Sequence, residues 1–418
     1  MNAYLISIGD ELLIGQTVNT NAAYIGKMIS DINISIVKTS VIGDKLKFII
    51  DEFDYASTKA DLIIITGGLG PTHDDITRSA VVQYFKTELV LRDEVIEDIK
   101  SMLGKRGRTI TKVHEDQAMV PEIAEVIRNY NGTAPGYWIE QNKNIFVVMP
   151  GVPYEMKGMI DSYIIPKLLE KLGQPPEFIK KSTLQTTGIP ESTLSERLGD
   201  LNELLEDAEL AFLPNQYGVR LRITVKSEDE ETAKNKLIAI EQKIRSKVGR
   251  YIYGRDDETL EQVVGRLLKE RSLRVATAES CTGGGLSDRI TNIAGSSDYF
   301  ERGVVTYSNA AKVELLKVNE DTIHDKGAVS QEVAMQMAEG IKAISGAEIG
   351  IALTGIMGPG GGSANKPVGT VYIGFCDDKV CTAKRYQFGE DRMLNKQRAT
   401  QAALEMLRRN ILGIPLDE

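Results

Sequence analysis

The sequence predicts an α/β protein in three parts: a doubly wound N-terminal domain, a small α+β middle domain and a second α/β domain. Three observations predict it. Short apolar runs alternate with amphipathic stretches over the first ~165 residues and again from ~257 to ~415. Gly173-Gln174-Pro175-Pro176 interrupts the first rhythm, because proline breaks both helix and strand. A chain of 418 residues is long enough for two or three domains at roughly 150 residues each.

The elements follow in order. Tyr4–Ile8 is an apolar strand ending at Gly9, and Asn21–Ile29 carries Tyr24, Ile25, Met28 and Ile29 at helical spacing. Ser35–Val41 reads as a strand and Leu46–Ala56 as a helix. Leu62–Ile65 and Ile145–Met149 are continuous apolar runs closed by glycine or proline, the pattern of buried parallel strands. These elements form a first domain, residues 1–170. In residues 175–253, Lys181–Thr187 and Gly218–Lys226 alternate as strands, and Val219, Leu221, Ile223 and Val225 share one face. Glu228–Val248 reads as a long helix with Leu237, Ile238, Ile240 and Ile244. The last domain, 257–415, begins after a boundary near Gly254–Glu258. Thr259 and Gln262 fit a capping box, followed by a stripe of Leu260, Val263, Val264, Leu267 and Leu268. Strands are expected at Arg274–Ala278, Gly303–Tyr307, Glu348–Leu353, Gly369–Phe375 and Val380–Gln387. Helices are expected from Gly283, over Ser330–Ile344 and at the end to about Leu412.

Composition narrows the function. The net charge of -9 argues against broad nucleic-acid coating. Cys281, Cys376 and Cys381 are too few for a disulfide scaffold or a four-cysteine zinc site, and His73, His114 and His324 have no zinc-ligand spacing. The N-terminal residues lack the basic start of a secretory signal, and no run approaches the roughly 20 apolar residues of a membrane span. Free thiols and a cytoplasmic location are expected, with no membrane partner.

Three turns follow strands in the first domain: Gly9-Asp10-Glu11, Thr66-Gly67-Gly68-Leu69-Gly70-Pro71-Thr72 and Pro150-Gly151-Val152-Pro153. In a parallel sheet such turns gather at the carboxyl edge, and their glycines let backbone amides approach phosphate. Asp74 and Asp75 beside that loop either cap the next helix or hold a divalent metal between carboxylate and phosphate.

The segments GDELLIGQTVNTNAAYI, ITGGLGPTHDDIT and VMPGVPYEM resemble the amino-terminal domain of the CinA (competence/damage-inducible) family, itself similar to the molybdopterin-binding MoaB/MogA proteins. The resemblance implies a pyrophosphate-linked nucleotide as ligand. In several members it implies hydrolysis of ADP-ribose that depends on a divalent metal (Mg, Mn or Co) and on potassium. It makes Asp10, Asp74 and Asp75 the metal candidates and Gly67, Gly68, Gly70 and Thr72 the phosphate cradle. Ala134-Pro135-Gly136 and Gly151 would close the site, with Glu155 as a base or a first-turn acid. The family also has a small KH-like or ferredoxin-like domain where the middle module lies. RNA is not expected as a partner, since 12 Lys/Arg face 13 Asp/Glu there and no Gly-X-X-Gly loop is present.

In the last domain, Thr277-Ala278-Glu279-Ser280-Cys281-Thr282-Gly283-Gly284-Gly285 follows an apolar strand and opens a helix, as an anion or oxyanion site requires. Cys281 reads as a nucleophile or, more simply, as packed core. Ser296 and Ser297 read as a turn or cap, or as half of a Ser–Lys device with Lys312, which otherwise is an exposed helix lysine.

TAESCTGG, AGSSDYFERGVVTYSNAAK, HDKGAVS, LTGIMGP, KPVGTVYIG and FGEDR resemble the PncC family of nicotinamide-nucleotide amidases. That family converts nicotinamide mononucleotide and water to nicotinate mononucleotide and ammonia, without a cofactor. By this resemblance Ser297 matches the nucleophile and Lys312 its activating base. Ser280, Thr282, Gly283, Tyr307, Thr354 and Gly355 match the substrate lining, and Arg392 a phosphate or catalytic arginine. The family's Gly-Asp-Arg is Glu390-Asp391-Arg392 here, which leaves Arg398 as the alternative. The whole reads as a homodimeric hydrolase acting on two products of NAD breakdown. The competing readings are a molybdopterin-binding module and a non-catalytic regulator of competence or recombination.

Overall fold

The computed structural model describes residues 1–70, 76–105, 107, 109–173 and 178–416. The chain forms two compact units, residues 1–176 and 177–418.

The first unit is built on β1 (Asn2–Ile8), β2 (Ser35–Ile42), β3 (Leu62–Thr66), β6 (Glu125–Ile127), β7 (Gly136–Gln141) and β8 (Asn144–Met149), in the order β2-β1-β3-β8-β7-β6. A separate ribbon pairs β4 (Leu89–Leu91) with β5 (Met119–Pro121). The first four strands of the sheet are mutually parallel, while β7 and β6 turn back antiparallel. Helices cover both faces. Tyr4, Ile6, Ile63 and Ile65 pack into a core with Ile49 and Phe53, whereas Leu5, Leu62 and Ile64 face Ile25 and Ile29. Burial on both faces is why these strands read as unbroken apolar runs. The parallel part of the doubly wound expectation holds; β6 and β7 are additions that the pattern did not show.

The carboxyl edge needs glycine at two positions. Gly67 has φ 110° and Gly68 φ 64°. A Cβ on Gly67 would overlap the Ile8 carbonyl oxygen, and one on Gly68 the Thr77 hydroxyl. Gly67→Ala is therefore expected to cost on the order of 3 kcal/mol. The unit should melt several degrees lower by calorimetry; an unchanged melting curve would remove this constraint.

In the second unit, β9 (Phe178–Thr186), β10 (Glu209–Asn215), β11 (Gly218–Ser227) and β12 (Ile252–Arg255) form an antiparallel sheet ordered β10-β11-β9-β12. Helix Glu230–Val248 covers one face. Val219, Leu221, Ile223 and Val225 are buried as their alternation requires. Of the apolar residues on that helix, Leu237, Ile240 and Ile244 are buried and Ile238 is exposed.

The third sheet contains β13 (Val275–Glu279), β14 (Phe300–Val305), β15 (Ile349–Gly355), β16 (Thr370–Cys376) and β17 (Cys381–Gln387), ordered β14-β13-β15-β16-β17. β14, β13 and β15 run parallel, and β16 and β17 antiparallel. The capping box at Thr259 forms as expected. Cys376 and Cys381 face each other across β16 and β17 and are disulfide-bonded, so the expectation of free thiols holds only for Cys281. Sequence spacing did not show that register. Among the described residues no helix is long and apolar enough to cross a membrane.

Candidate functional site

The C-terminal cleft is built at the carboxyl ends of β13, β14 and β15. It encloses about 230 Å³, lined by Ser280, Cys281, Tyr307, Lys312, Thr354, Gly355 and Arg392 among others. Ser280 follows β13 directly. Its amide donates to the Leu353 carbonyl at 3.0 Å, and Gly283 closes the turn by donating to the Ser280 carbonyl at 3.2 Å. Gly283 and Gly284 take φ 64° and 96° in this turn.

Glu279 holds the loop in place. The fully buried carboxylate accepts from the amides of Gly284, Leu286 and Ser287 at 2.8–3.0 Å and from the Ser287 hydroxyl at 2.7 Å. It thereby satisfies the first amides of helix Gly285–Thr291, which a side-chain cap otherwise supplies. The only hint in the sequence was an acid ending a buried strand. Glu279→Gln replaces an acceptor oxygen by a donor facing donors and is expected to cost roughly 2–3 kcal/mol. Because Ser280 is the next residue, kcat for the reaction at this cleft should fall about tenfold with KM nearly kept, at temperatures where the variant is folded. A wild-type kcat would show that Glu279 serves stability alone.

Lys312 is buried, on helix Asn309–Leu316, whose N-cap is Ser308. Its Nζ lies 3.0 Å from Ser280 Oγ, 2.8 Å from the Thr306 carbonyl and 3.3 Å from the Tyr307 carbonyl. Nζ donates to all three oxygens, and loss of one proton leaves a neutral amine with two N–H bonds for the carbonyls and a lone pair for the serine hydroxyl. Burial lowers the lysine's pKa from its ordinary value of 10.5, which favours that form.

Ser297 is not part of this arrangement. It is exposed, in the short helical turn Ser296–Asp298 before β14, while Lys312 follows β14. β14 runs parallel to β13, so Ser297 lies at the opposite edge of the sheet, with a strand of 6 residues between them. At roughly 3.3 Å per residue that strand separates them by on the order of 20 Å. The turn reading of Gly-Ser-Ser is the one that the fold adopts.

The other expected residues divide. Arg392, capped by Asp391, reaches the cleft and donates to the Gly358 carbonyl at 2.8 Å and to the Tyr307 hydroxyl at 3.4 Å. Arg398 lines a different cavity. Thr354 lines the cleft while donating to the Ala328 carbonyl at 2.7 Å. Thr282 is fully buried with no partner for its hydroxyl among the described residues, and neither it nor Gly283 lines the cleft. Cys281 is 7% exposed, and burial pushes its thiol up to about 12, which suits a packed residue.

In the first unit, a cavity of about 580 Å³ lies at the carboxyl edge of the sheet. Gly67, Gly68, Gly70, Gly151 and Glu155 line it, as do Glu11, Asp44, Asn19 and Asn21. Asp10 does not line it. Its carboxylate accepts from the Asp44 amide at 3.3 Å, and the Asp44 carboxylate accepts from the Asp10 amide at 3.0 Å. Thr133 and Ala134 line the cavity, but Pro135 and Gly136 do not: Pro135 turns to a small neighbouring hollow and Gly136 opens β7. Thr72, Asp74 and Asp75 lie outside the described residues. Glu155 accepts from Asn129 Nδ2 at 2.7 Å, and burial raises its carboxyl pKa against that bond. Asn21 Nδ2 donates to the Gly151 carbonyl at 2.6 Å, tying the first turn of helix Thr20–Asp31 to the turn after β8. Its role was not legible in the sequence, where Asn21 read simply as the first residue of a helix.

Both sites are thus loop assemblies at the carboxyl edges of largely parallel sheets, where α/β enzymes bind ligands. Residues 4–170 match the probable molybdopterin binding domain, 181–254 the damage-inducible protein CinA KH domain and 257–411 the CinA C-terminal domain. The CinA-like protein of Salinibacter ruber is 43% identical over 413 residues, covering 98% of this chain and 100% of that protein. The CinA-like protein of Chloroherpeton thalassium is 43% identical over 419 residues, covering 98% and 99%. The crystal structure of the competence/damage inducible protein CihA from Agrobacterium tumefaciens is 41% identical and covers 36% of this chain and 92% of that one, with TM-score 0.35. The chain belongs to the CinA family.

Proposed function

We propose that the C-terminal domain is a nicotinamide-nucleotide amidase in which Ser280 is the nucleophile and Lys312 its base. The observation that carries this reading is the 3.0 Å contact between Lys312 Nζ and Ser280 Oγ inside a cleft. The lysine takes the serine proton as Oγ attacks the carboxamide carbon, then returns it to the departing ammonia. Backbone amides of the turn after Ser280 are the proposed donors to the oxyanion. Arg392 supplies a fork for the substrate phosphate, and Tyr307 orients that fork. Water then releases nicotinate mononucleotide, with Lys312 again as base. Incubating the protein with nicotinamide mononucleotide and following nicotinate mononucleotide and ammonia by chromatography tests this; no conversion by concentrated enzyme would reject it.

For the N-terminal domain we propose metal-dependent hydrolysis of ADP-ribose. The 580 Å³ cavity combines the close-approach glycines Gly67 and Gly68 with the carboxylates of Glu11, Asp44 and Glu155. Hard oxygen donors suit a divalent cation, so Glu11 and Asp44, with Asp74 and Asp75 of the adjoining segment, are the residues to hold one. When bound, that ion neutralises charge on the pyrophosphate. The glycine amides hold the phosphates, and Glu155, with its raised pKa, accepts a proton from the attacking water. Exhaustive chelation is expected to abolish ADP-ribose hydrolysis and leave deamidation unchanged, with activity restored by Mg, Mn or Co. Full hydrolysis after chelation would contradict the metal assignment.

A further inference from the structure

Arg392 reaches the cleft from the exposed first turn of helix Arg392–Leu412. A long side chain in that position keeps many rotamers open unless a contact fixes it. The nearer of its two contacts is the Gly358 carbonyl, which accepts from Nη1 at 2.8 Å; the Tyr307 hydroxyl lies at 3.4 Å from Nη2. The Gly358 carbonyl belongs to the loop after β15, Gly358-Pro359-Gly360-Gly361-Gly362, whose one side chain, Pro359, is exposed. That loop therefore has no side chain of its own in the core, and the carbonyl that aims Arg392 has to be held from elsewhere.

Asn395 supplies the anchor. It sits one turn along the same helix as Arg392 and is fully buried. Its Nδ2 donates to the Met357 carbonyl at 3.0 Å and to the Gly389 carbonyl at 2.8 Å. One amide thus ties two segments to the helix that carries Arg392: the residue before Gly358, and the turn Gly389-Glu390-Asp391 that leads into Arg392. Both N–H groups of the amide are engaged, while Oδ1 is buried with no partner among the described residues. An unpaired buried oxygen is destabilising, and a leucine of similar volume would avoid it. The two donors are what this position requires.

We propose that Asn395 is a positioning residue for the amidase: it holds the Gly358 carbonyl where Arg392 is aimed at the substrate phosphate. The inference rests on the reading above, in which Arg392 receives that phosphate. Asn395 neither lines the cleft nor bonds to Ser280 or Lys312, so its loss should weaken phosphate binding and leave proton transfer intact.

Steady-state deamidation of nicotinamide mononucleotide by the full chain tests this, with Asn395→Ala and the volume-keeping Asn395→Leu, each alone and combined with Arg392→Ala. Thermal melts fix a temperature at which each variant is folded, and Asn395→Leu serves where Asn395→Ala does not fold. Each single Asn395 variant is expected to raise KM about tenfold with kcat within about twofold of native. On the Arg392→Ala background the same substitution should change kcat/KM by no more than about twofold, since the arginine it aims is gone. A native KM in a folded Asn395 variant would overturn the inference, as would a loss that persists in full on the Arg392→Ala background. A native chain that converts no nicotinamide mononucleotide would instead reject the amidase reading, and this inference with it.

Discussion

Ser280→Ala and Lys312→Ala are each expected to lower nicotinamide mononucleotide deamidation by about a thousandfold or more, and the double variant by little beyond that. The two groups form one device: Lys312 has no proton to take without Ser280, and Ser280 has no base without Lys312. Ser297→Ala is expected to stay within about twofold of the native rate, since its exposed turn lies at the far edge of the sheet. Cys281→Ala should likewise retain most activity, because burial keeps its thiol protonated. Initial rates of ammonia release for the four single variants decide the matter. A dead Ser297→Ala beside an active Ser280→Ala would reverse the assignment.

The second large effect is on pH dependence. A lysine must be neutral to accept the serine proton. Its neutral fraction grows as pH rises through its pKa, so kcat/KM should climb with pH and level off above it. Burial lowers that pKa below the ordinary 10.5, so the climb should come at lower pH than an exposed lysine gives. Lys312→Arg should lose both the limb and the activity, because arginine stays protonated and cannot act as base. A native profile that is flat below pH 10, or one retained in Lys312→Arg, would remove Lys312 from proton transfer.

Much of this architecture was legible because burial on two faces writes itself into strands such as Leu62–Thr66 and Ile145–Met149, and alternation into Gly218–Ser227. The residues of the C-terminal cleft were also legible: Ser280 and Tyr307 fall in turns after strands, Lys312 and Arg392 in the first turns of helices, and Thr354 near the end of β15. Their pairing was not. Choosing between Ser280 and Ser297 required the direction of β14 beside β13. The strand is Phe300–Val305 rather than Gly303–Tyr307, and on either bounds Ser297 precedes it and Lys312 follows it. In a parallel sheet that difference of edge decides which hydroxyl meets the lysine. Glu279 escaped notice because a buried acid held by three amides and a serine hydroxyl has no charged partner to mark it in the sequence. Cys376 and Cys381 escaped because their pairing follows from the register of β16 with β17.

The central claim is that Ser280 carries the acyl group. Quenching a single turnover of nicotinamide mononucleotide with enzyme in excess, then mapping the covalent adduct by peptide mass spectrometry, tests it most directly. The expected result is an ester on Ser280, with the mass of the substrate less ammonia, that is absent from Ser280→Ala. An adduct on Ser297 or Cys281, or full deamidation by Ser280→Ala, would contradict it.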